Sequence, residues 1–335
     1  MSQFSFPFET TLQNLYSFGI QVLNTKDTDE KVKLSFQAQQ LYEEGKISVR
    51  PLDRNEMFRV RPPNVPARPD NVTIVPPKQL HKRGSGTVEN RAALIHSICH
   101  MESYAIDLSW DIICRFAILD YLPDEFLIDW FYVALDECRH FKMLSKRLTE
   151  LGSFYGQFPS HGGLWSAATA TQNDVMLRLC ILHTVHEARG LDMTPNNIRK
   201  LREAKDFESA DVLSVILEEE ISHVQKGVKW FKFCCAHAIR EERRKNREEQ
   251  NFVHVGNDML TTTTNEQEVS EDLIRQRFHH LVRNHTTTGV LRPPFNHEAR
   301  LKAGFTKDWY EPLIPEANVA STTNEETQAN EEVIH

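Results

Sequence analysis

Two short segments of the chain place a glutamate three residues before a histidine: Glu137 with His140, and Glu220 with His223. A further glutamate precedes each pair by a similar distance, Glu102 by 35 residues and Glu187 by 33 residues. A bundle of four helices can hold two metal ions when two helices each supply a glutamate and two supply a Glu-x-x-His pair. The spacing therefore predicts a site for two metal ions, built from these six side chains.

The candidate ligands lie on apolar helix faces. Residues three, four, seven and eight apart share one face of a helix, and Glu137 shares its face with Trp130, Val133 and Leu144. A buried carboxylate without a partner is strongly destabilising, and no Lys or Arg lies on these faces. Metal ions are the expected partners, because four carboxylates balance two divalent cations. A third Glu-x-x-His match ends at His335 in a polar tail and is interpreted as chance.

Four predicted helices position these residues. The first runs from about Thr87 to Leu119, and the second starts near Pro123 and stops at Gly152. A connection of about twenty residues follows. The third helix begins near Asp174 and is expected to break around Gly190, where Thr194-Pro195 opens a short helix; the fourth covers about 206–238. Two helical hairpins joined by a long crossover indicate an all-α, ferritin-like four-helix bundle over residues 87–238.

The segments on either side differ in composition from the bundle. Residues 1–86 are predicted to form two N-terminal helices and an extended arm, since seven of the fifteen prolines lie between Pro51 and Pro77. Residues 239–290 indicate a polar helix end and a mobile insertion, and 291–314 indicate an ordered C-terminal segment. Residues 315–335 are acidic and are predicted to be disordered.

Net charge, apolar content and cysteine spacing argue against several classes of protein. The net charge of −8 argues against a nucleic-acid partner. No apolar run is long enough to cross a bilayer, and the N-terminus does not resemble a secretory signal. None of the six cysteines forms a Cys-x-x-Cys pair, so buried thiols in an intracellular, cytoplasmic protein are expected and a cysteine zinc site is not.

Two histidines near the ligands have alternative interpretations. His183 lies one turn before Glu187, where it could be an additional ligand or a hydrogen-bond donor to a ligand. His100 lies about 160° around its helix from Glu102, which favours a contact with another helix over metal binding. Arg189 is expected to pair with a buried carboxylate, either Asp192 or Asp107.

At these motifs the chain resembles a known family. The segments that carry the resemblance are 66–69, 96–111, 129–137, 186–192 and 223–231. They resemble the ferritin-like superfamily of di-iron carboxylate type, and within it the domain of unknown function 455 family. The resemblance covers roughly residues 50–238 and 291–314, and it implies the same ligand set without implying a substrate.

A narrower likeness concerns residues beside the ligands. Asp136-Glu137-Cys138-Arg139-His140 is similar to the Asp-Glu-x-Arg-His signature of bacterial di-iron monooxygenases. The likeness implies that Asp136 supports a metal-bound histidine through a hydrogen bond. Glu219 takes the corresponding place before Glu220, where Glu replaces Asp and Ser replaces Arg.

The leading hypothesis is an O2-dependent oxidase or hydroxylase that binds two iron ions, with manganese as the other possible metal. It would need an electron donor and a small organic substrate. The first alternative is a non-catalytic protein for iron storage or detoxification. The second is a helical interaction protein with a vestigial site.

Overall fold

The structure, a computed structural model, describes residues 13–80, 86–253, 268–285 and 291–315. The described residues are mainly helical and contain no β-strand, only two isolated bridges, so the predicted all-α class is confirmed. The chain divides into two compact units. The first comprises Met1–Asn173 and Thr194–Glu219, and the second comprises Asp174–Met193 and Glu220–His335.

Two long helices dominate the first unit: α4 (Val88–Phe116) and α5 (Asp124–Glu150). The Thr87 side chain caps α4 by accepting from the backbone N–H of Asn90. Pro123 precedes α5, and Gly152 follows its end with φ +74°, a conformation that favours glycine. The two helices pack against each other. The residues at the helix ends therefore predicted the limits of both helices to within a few positions.

In the described residues before this pair, the α-helices are α1 (Leu15–Asn24), α2 (Thr28–Glu43) and α3 (Glu56–Arg59). A Cβ on Gly19 of α1 would lie 2.4 Å from the Sγ of Cys114, so only glycine allows this approach to α4. From α2, the fully buried Lys31 pairs with Asp107 of α4, which also accepts from Arg68 at 2.6 Å. This buried network orders the N-terminal helices on α4.

The proline-rich segment runs along the first unit without forming long helices. A 3₁₀ turn at Pro77–Gln79 is its last regular element among the described residues. Arg50 donates to the carbonyls of Ala117 and Leu122, and Trp165 donates to Asn64 O. The segment is thus held by side-chain hydrogen bonds to backbone groups.

The connection after α5 is not all loop, because α6 (Gly163–Ala170) lies within it. Farther along the chain, Asp206 joins three helices of the first unit. It accepts from Arg91 of α4 at 2.9 Å and from Arg147 of α5 at 2.8 Å, just before α9 begins. The start of α9 is thereby fixed to α4 and α5.

The second unit begins with α7 (Val175–Cys180), a π-helix (Ile181–His186) and the first part of α8 (Glu187–Glu203). The predicted break near Gly190 is wrong, since α8 continues past it with Pro195 in its interior. Proline lacks an N–H, which deprives the carbonyl four residues earlier of its helical donor. Asn296 Nδ2 donates to that carbonyl, Leu191 O, at 3.2 Å and so compensates for the loss.

Helix α9 (Phe207–Val253) extends about 15 residues beyond its predicted end. The second unit also contains α10 (Glu271–His285), α11 (His297–Lys302), α12 (Lys307–Tyr310) and a 3₁₀ turn at Glu311–Leu313. Sequence reasoning missed α10 inside the expected insertion. Its buried residues recur every four positions. They are Ile274, Phe278 and Val282.

The C-terminal segment is anchored on α8. Arg300, which is fully buried, pairs with Asp192 at 2.6 Å, and the backbone N–H of Asn296 donates to the same carboxylate. Arg189 lies 3.5 Å from Asp192, which is one of the two pairings expected for it, whereas Asp107 pairs with Lys31.

The four-helix bundle and the domain boundaries at residues 86, 238, 290 and 314 stay predictions. Residues 254–267, 286–290 and 316–335 lie outside the described residues, and they include part of the expected insertion and nearly all of the expected tail.

Within the described residues, no helix is both long enough and apolar enough to cross a membrane.

Candidate metal centre

One buried group in the first unit combines two carboxylates and an imidazole. Glu137 and His140 lie one turn apart on α5, and the His140 Nδ1 is 3.2 Å from Glu137 Oε2. Glu102 of α4 brings its Oε2 to 4.0 Å from the same Nδ1. The exposed fractions are 1% for Glu137, 0% for His140 and 7% for Glu102. One donor atom from each residue lies within 4.8 Å of the others, a spacing that could hold a metal ion.

The other nitrogen of His140 has a defined partner. Its Nε2 lies 2.9 Å from Glu219 Oε2 on α9. A carboxylate can only accept, so Nε2 carries the hydrogen and donates it. This hydrogen bond from His140 holds the pKa of Glu219 below its ordinary value, against a smaller opposing effect of burial.

The orientation of His140 determines what can lie between the three ligands. Because Nε2–H donates to Glu219, the neutral ring presents an Nδ1 lone pair to the oxygens of Glu137 and Glu102. An imidazole lone pair and carboxylate oxygens this close together repel one another, and a cation bound between them would remove that repulsion. Imidazole nitrogen and carboxylate oxygen are ligands for iron, manganese and zinc. The residues therefore fit a bound metal ion.

The second unit repeats this local arrangement. Glu220 and His223 lie one turn apart on α9, and His223 Nδ1 is 3.3 Å from Glu220 Oε2. Their exposed fractions are 9% and 0%. The two Glu-x-x-His pairs thus have nearly the same internal geometry. Each pair is brought together as the spacing predicted, and a single site formed from both stays a prediction.

Glu187 lies at a helix irregularity. It is the first residue of α8, directly after the π-helix Ile181–His186. Segments of π-helix occur often at functional sites, since the extra residue in the turn re-aims nearby side chains. Sequence reasoning missed the π-helix, and the role of Glu187 as a ligand stays a prediction.

Gly227 of α9 lies against the π-helix. A Cβ at this position would be 1.8 Å from the His183 carbonyl oxygen and 3.0 Å from Thr184 Oγ1. Such distances are impossible for a real side chain, so only glycine permits the approach. Gly227 therefore allows the irregular backbone before Glu187 to pack on α9.

The residues expected to support the ligands occupy different places. Asp136 forms an ion pair with Arg139 on its own helix, and Arg139 also lies 3.7 Å from Glu219. Glu219 contacts His140. His183 is buried in the π-helix. The supporting roles of Asp136, His183 and Glu219 stay predictions.

His100 lies in a separate polar network. Its Nδ1 is 3.0 Å from the Tyr155 hydroxyl, which is 2.7 Å from Ser103 Oγ. Burial lowers the pKa of His100 to about 3, Arg68 adds to the shift, and the backbone of His161 opposes it. Nearby, His96 Nε2 accepts from the backbone N–H of Gly156 at 2.9 Å, and burial lowers its pKa to about 4. No pattern in the sequence pointed to Tyr155.

Comparison with known proteins then places the chain in a family. A family described as "Protein of unknown function (DUF455)" matches residues 24–246 and 243–311, which is most of the chain. The chain belongs to the DUF455 family. The description of the DUF455 family assigns no activity.

One relative of the chain comes from Haemophilus influenzae (strain ATCC 51907 / DSM 11121 / KW20 / Rd) and is described as "Uncharacterized protein". It is 39% identical over 184 residues, which cover 54% of this chain and 62% of the relative. The chain thus matches less than two thirds of the relative's length. No solved structure matches the chain.

Proposed function

We propose that this DUF455 protein is a ferritin-like di-metal carboxylate protein. Its proposed ligands are Glu102, Glu137, His140, Glu187, Glu220 and His223. The observation that carries the proposal is the orientation of His140: Glu219 takes up the Nε2–H, and the Nδ1 lone pair faces Glu137 and Glu102. Donor atoms of His140, Glu137 and Glu102 lie within 4.8 Å of one another, close enough to bind one metal ion.

The repeated motif supports a second metal ion. Glu220 and His223 reproduce the geometry of Glu137 and His140, with 3.3 Å in place of 3.2 Å between nitrogen and oxygen. On α9, Glu220 directly follows Glu219, whose side chain contacts His140. Because Glu219 and Glu220 are adjacent, we favour a single site that contains both Glu-x-x-His pairs. Glu187 at the start of α8 is the proposed fourth carboxylate.

The order of elements supports the ferritin-like assignment. Helices α4 and α5 form a hairpin, a connection containing α6 follows, and α7 to α9 supply the other two long helical segments. A crossover between two hairpins is the connectivity of ferritin-like bundles. The proposal therefore treats α4, α5, α7–α8 and α9 as the four helices of one bundle.

Within this framework the proposed activity is an O2-dependent oxidation or hydroxylation of a small organic substrate. The two iron ions that these residues would hold would supply the redox chemistry for O2, with electrons from an external donor. The protein holds His140 in one orientation through Glu219, which fixes the nitrogen that faces the metal. Buried side chains such as Trp130, Val133 and Leu144 exclude water from this helix face. Manganese is compatible with the same ligands.

Stepwise metal loading tests this proposal against iron storage. Fe(II) or Mn(II) is added anaerobically to metal-free protein, and the unfolding temperature is measured. We expect a clear rise, because binding to the folded state alone stabilises it. Repeated aerobic additions of Fe(II) should then saturate at about two iron ions per chain. Continued uptake far beyond two would indicate storage, and an unchanged unfolding temperature with both metals would overturn the metal site itself.

A further inference from the structure

A pocket of about 290 Å³ lies in the first unit, on a face of α4 that the proposed metal ligands do not use. Its apolar lining includes Leu94, Met101, Phe158 and Leu164. It opens to solvent where Ser97 is exposed and Met101 is 44% exposed. Of the described residues that line it, none is Asp, Glu, Lys or Arg. This lining suits a neutral molecule.

Two buried polar side chains line the same pocket without a hydrogen-bond partner. They are His100, through Nε2, and Ser160, through its Oγ. The residues are only 3% and 4% exposed. The backbone carbonyl of His161 lies beside the His100 ring, outside the geometry of a normal hydrogen bond to Nε2. Buried polar atoms normally have partners, so two such atoms at one pocket indicate a missing ligand group.

Contacts around Tyr155 leave either nitrogen of His100 able to carry the hydrogen. The Tyr155 hydroxyl lies 2.7 Å from Ser103 Oγ and 3.0 Å from His100 Nδ1, and both hydrogen bonds can run in either direction. Nε2 is accordingly either an acceptor or an N–H donor. A hydroxyl group on a ligand can pair with Nε2 in both cases, because a hydroxyl donates and accepts.

We propose that this pocket binds a neutral, planar, largely apolar molecule of one or two rings that carries a hydroxyl group, as phenols do. The hydroxyl would give His100 Nε2 its partner, and the Ser160 hydroxyl offers a second hydrogen bond. A dry cavity of about 150 Å³ is sufficient for benzene, so about twice that volume accommodates a fused pair of rings. The site is independent of the metal centre, since His100 lies about 160° around α4 from Glu102.

Calorimetric titration of the metal-free full chain with two probes tests the site. 2-Naphthol presents a hydroxyl group, and 2-methylnaphthalene has nearly the same shape with a methyl group in its place. We expect 2-naphthol to bind about tenfold more tightly than 2-methylnaphthalene, as one hydrogen bond to a buried polar atom allows. No binding of 2-naphthol up to its solubility limit, or equal affinities for the two probes, would overturn the proposal.

A pair of surface variants checks the location. Ser97→Trp places a large ring at the pocket mouth from an exposed position and should weaken 2-naphthol binding at least about tenfold. Thr149→Trp introduces the same ring at an exposed position of α5 outside the pocket and should leave the affinity unchanged. Equal affinities in the two variants would contradict the assignment to this pocket. Neither measurement depends on metal, so a failure here is separate from a failure of the proposed function.

Discussion

The Nε2–H of His140 on α5 donates to the carboxylate of Glu219 on α9 over 2.9 Å. This contact fixes the ring so that Nδ1 faces the glutamates, and it uses a residue directly beside the proposed ligand Glu220. A hydrogen bond of this kind on the far nitrogen sets the tautomer of a metal-binding histidine and raises its basicity.

Removal of this carboxylate should weaken metal binding. We expect Glu219→Ala to reduce the affinity for Mn(II) or Fe(II) about 10- to 100-fold, because His140 loses the acceptor that orients it. Glu219→Gln keeps an acceptor oxygen and should recover part of the loss. Affinities are measured anaerobically by competition with a chelator. Glu218→Ala, at the exposed neighbouring position, is the control, and an equal effect of both alanine variants would contradict the role of Glu219.

Two glycine-to-alanine changes on neighbouring helices should have opposite effects on stability. A Cβ at Gly227 would meet the His183 carbonyl at 1.8 Å, so Gly227→Ala should lower the free energy of unfolding and perturb the π-helix before Glu187. Gly190 is exposed in α8 with nothing within 4 Å of its Cβ position. Gly190→Ala should stabilise the helix by about 0.5–1 kcal/mol. Urea unfolding measures both, and a neutral Gly227→Ala would show that the close approach is not required.

Helix ends could be predicted where single residues determine them. Thr87, Pro123 and Gly152 have local capping or φ preferences, and they marked α4 and α5 to within a few residues. The continuation of α8 through Pro195 could not be predicted, because the compensating donor is Asn296, about one hundred residues away. The pattern of Ile274, Phe278 and Val282 in α10 was visible, but the surrounding charges and threonines obscured it.

Some features of the candidate site follow from local sequence, whereas others depend on residues that lie far apart in the chain. The pairs Glu137–His140 and Glu220–His223 follow from spacing on a helix, since three residues make one turn. The contact between His140 and Glu219 depends on the packing of two helices, which no local pattern encodes. The π-helix before Glu187 likewise depends on the space that Gly227 leaves.

The buried ion pairs between α2 and α4 give a prediction about stability. Asp107 is fully buried and pairs with Lys31 and Arg68. Asp107→Asn leaves both cations without their carboxylate and should lower the free energy of unfolding by about 3–5 kcal/mol. Glu30→Gln removes the partner of Lys33 in an exposed pair and should have little effect. Urea unfolding compares the two, and a mild effect of Asp107→Asn would contradict a structural role for the network.

His96 should make stability depend on pH. Burial lowers its pKa to about 4 in the folded protein, from an ordinary value of 6.5. Between pH 4 and pH 6.5 the unfolded chain binds more protons than the folded protein. The contribution of neutral His96 to stability is therefore fully present above pH 6.5 and is lost as the pH falls towards 4. His96→Gln keeps an acceptor for the Gly156 N–H but cannot titrate. The slope of the unfolding free energy against pH should be smaller in this variant than in the wild type, by the equivalent of up to one bound proton. An unchanged slope would contradict this assignment.

The metal content of protein equilibrated anaerobically with Fe(II) or Mn(II) and freed of excess metal tests the central claim most directly. Elemental analysis of the wild type should find about two ions per chain. Glu137→Gln should hold at most about one, while Glu150→Gln, at an exposed position of the same helix, should match the wild type. A wild-type protein that retains no metal, or a Glu137→Gln variant that retains both ions, would contradict the proposed di-metal centre.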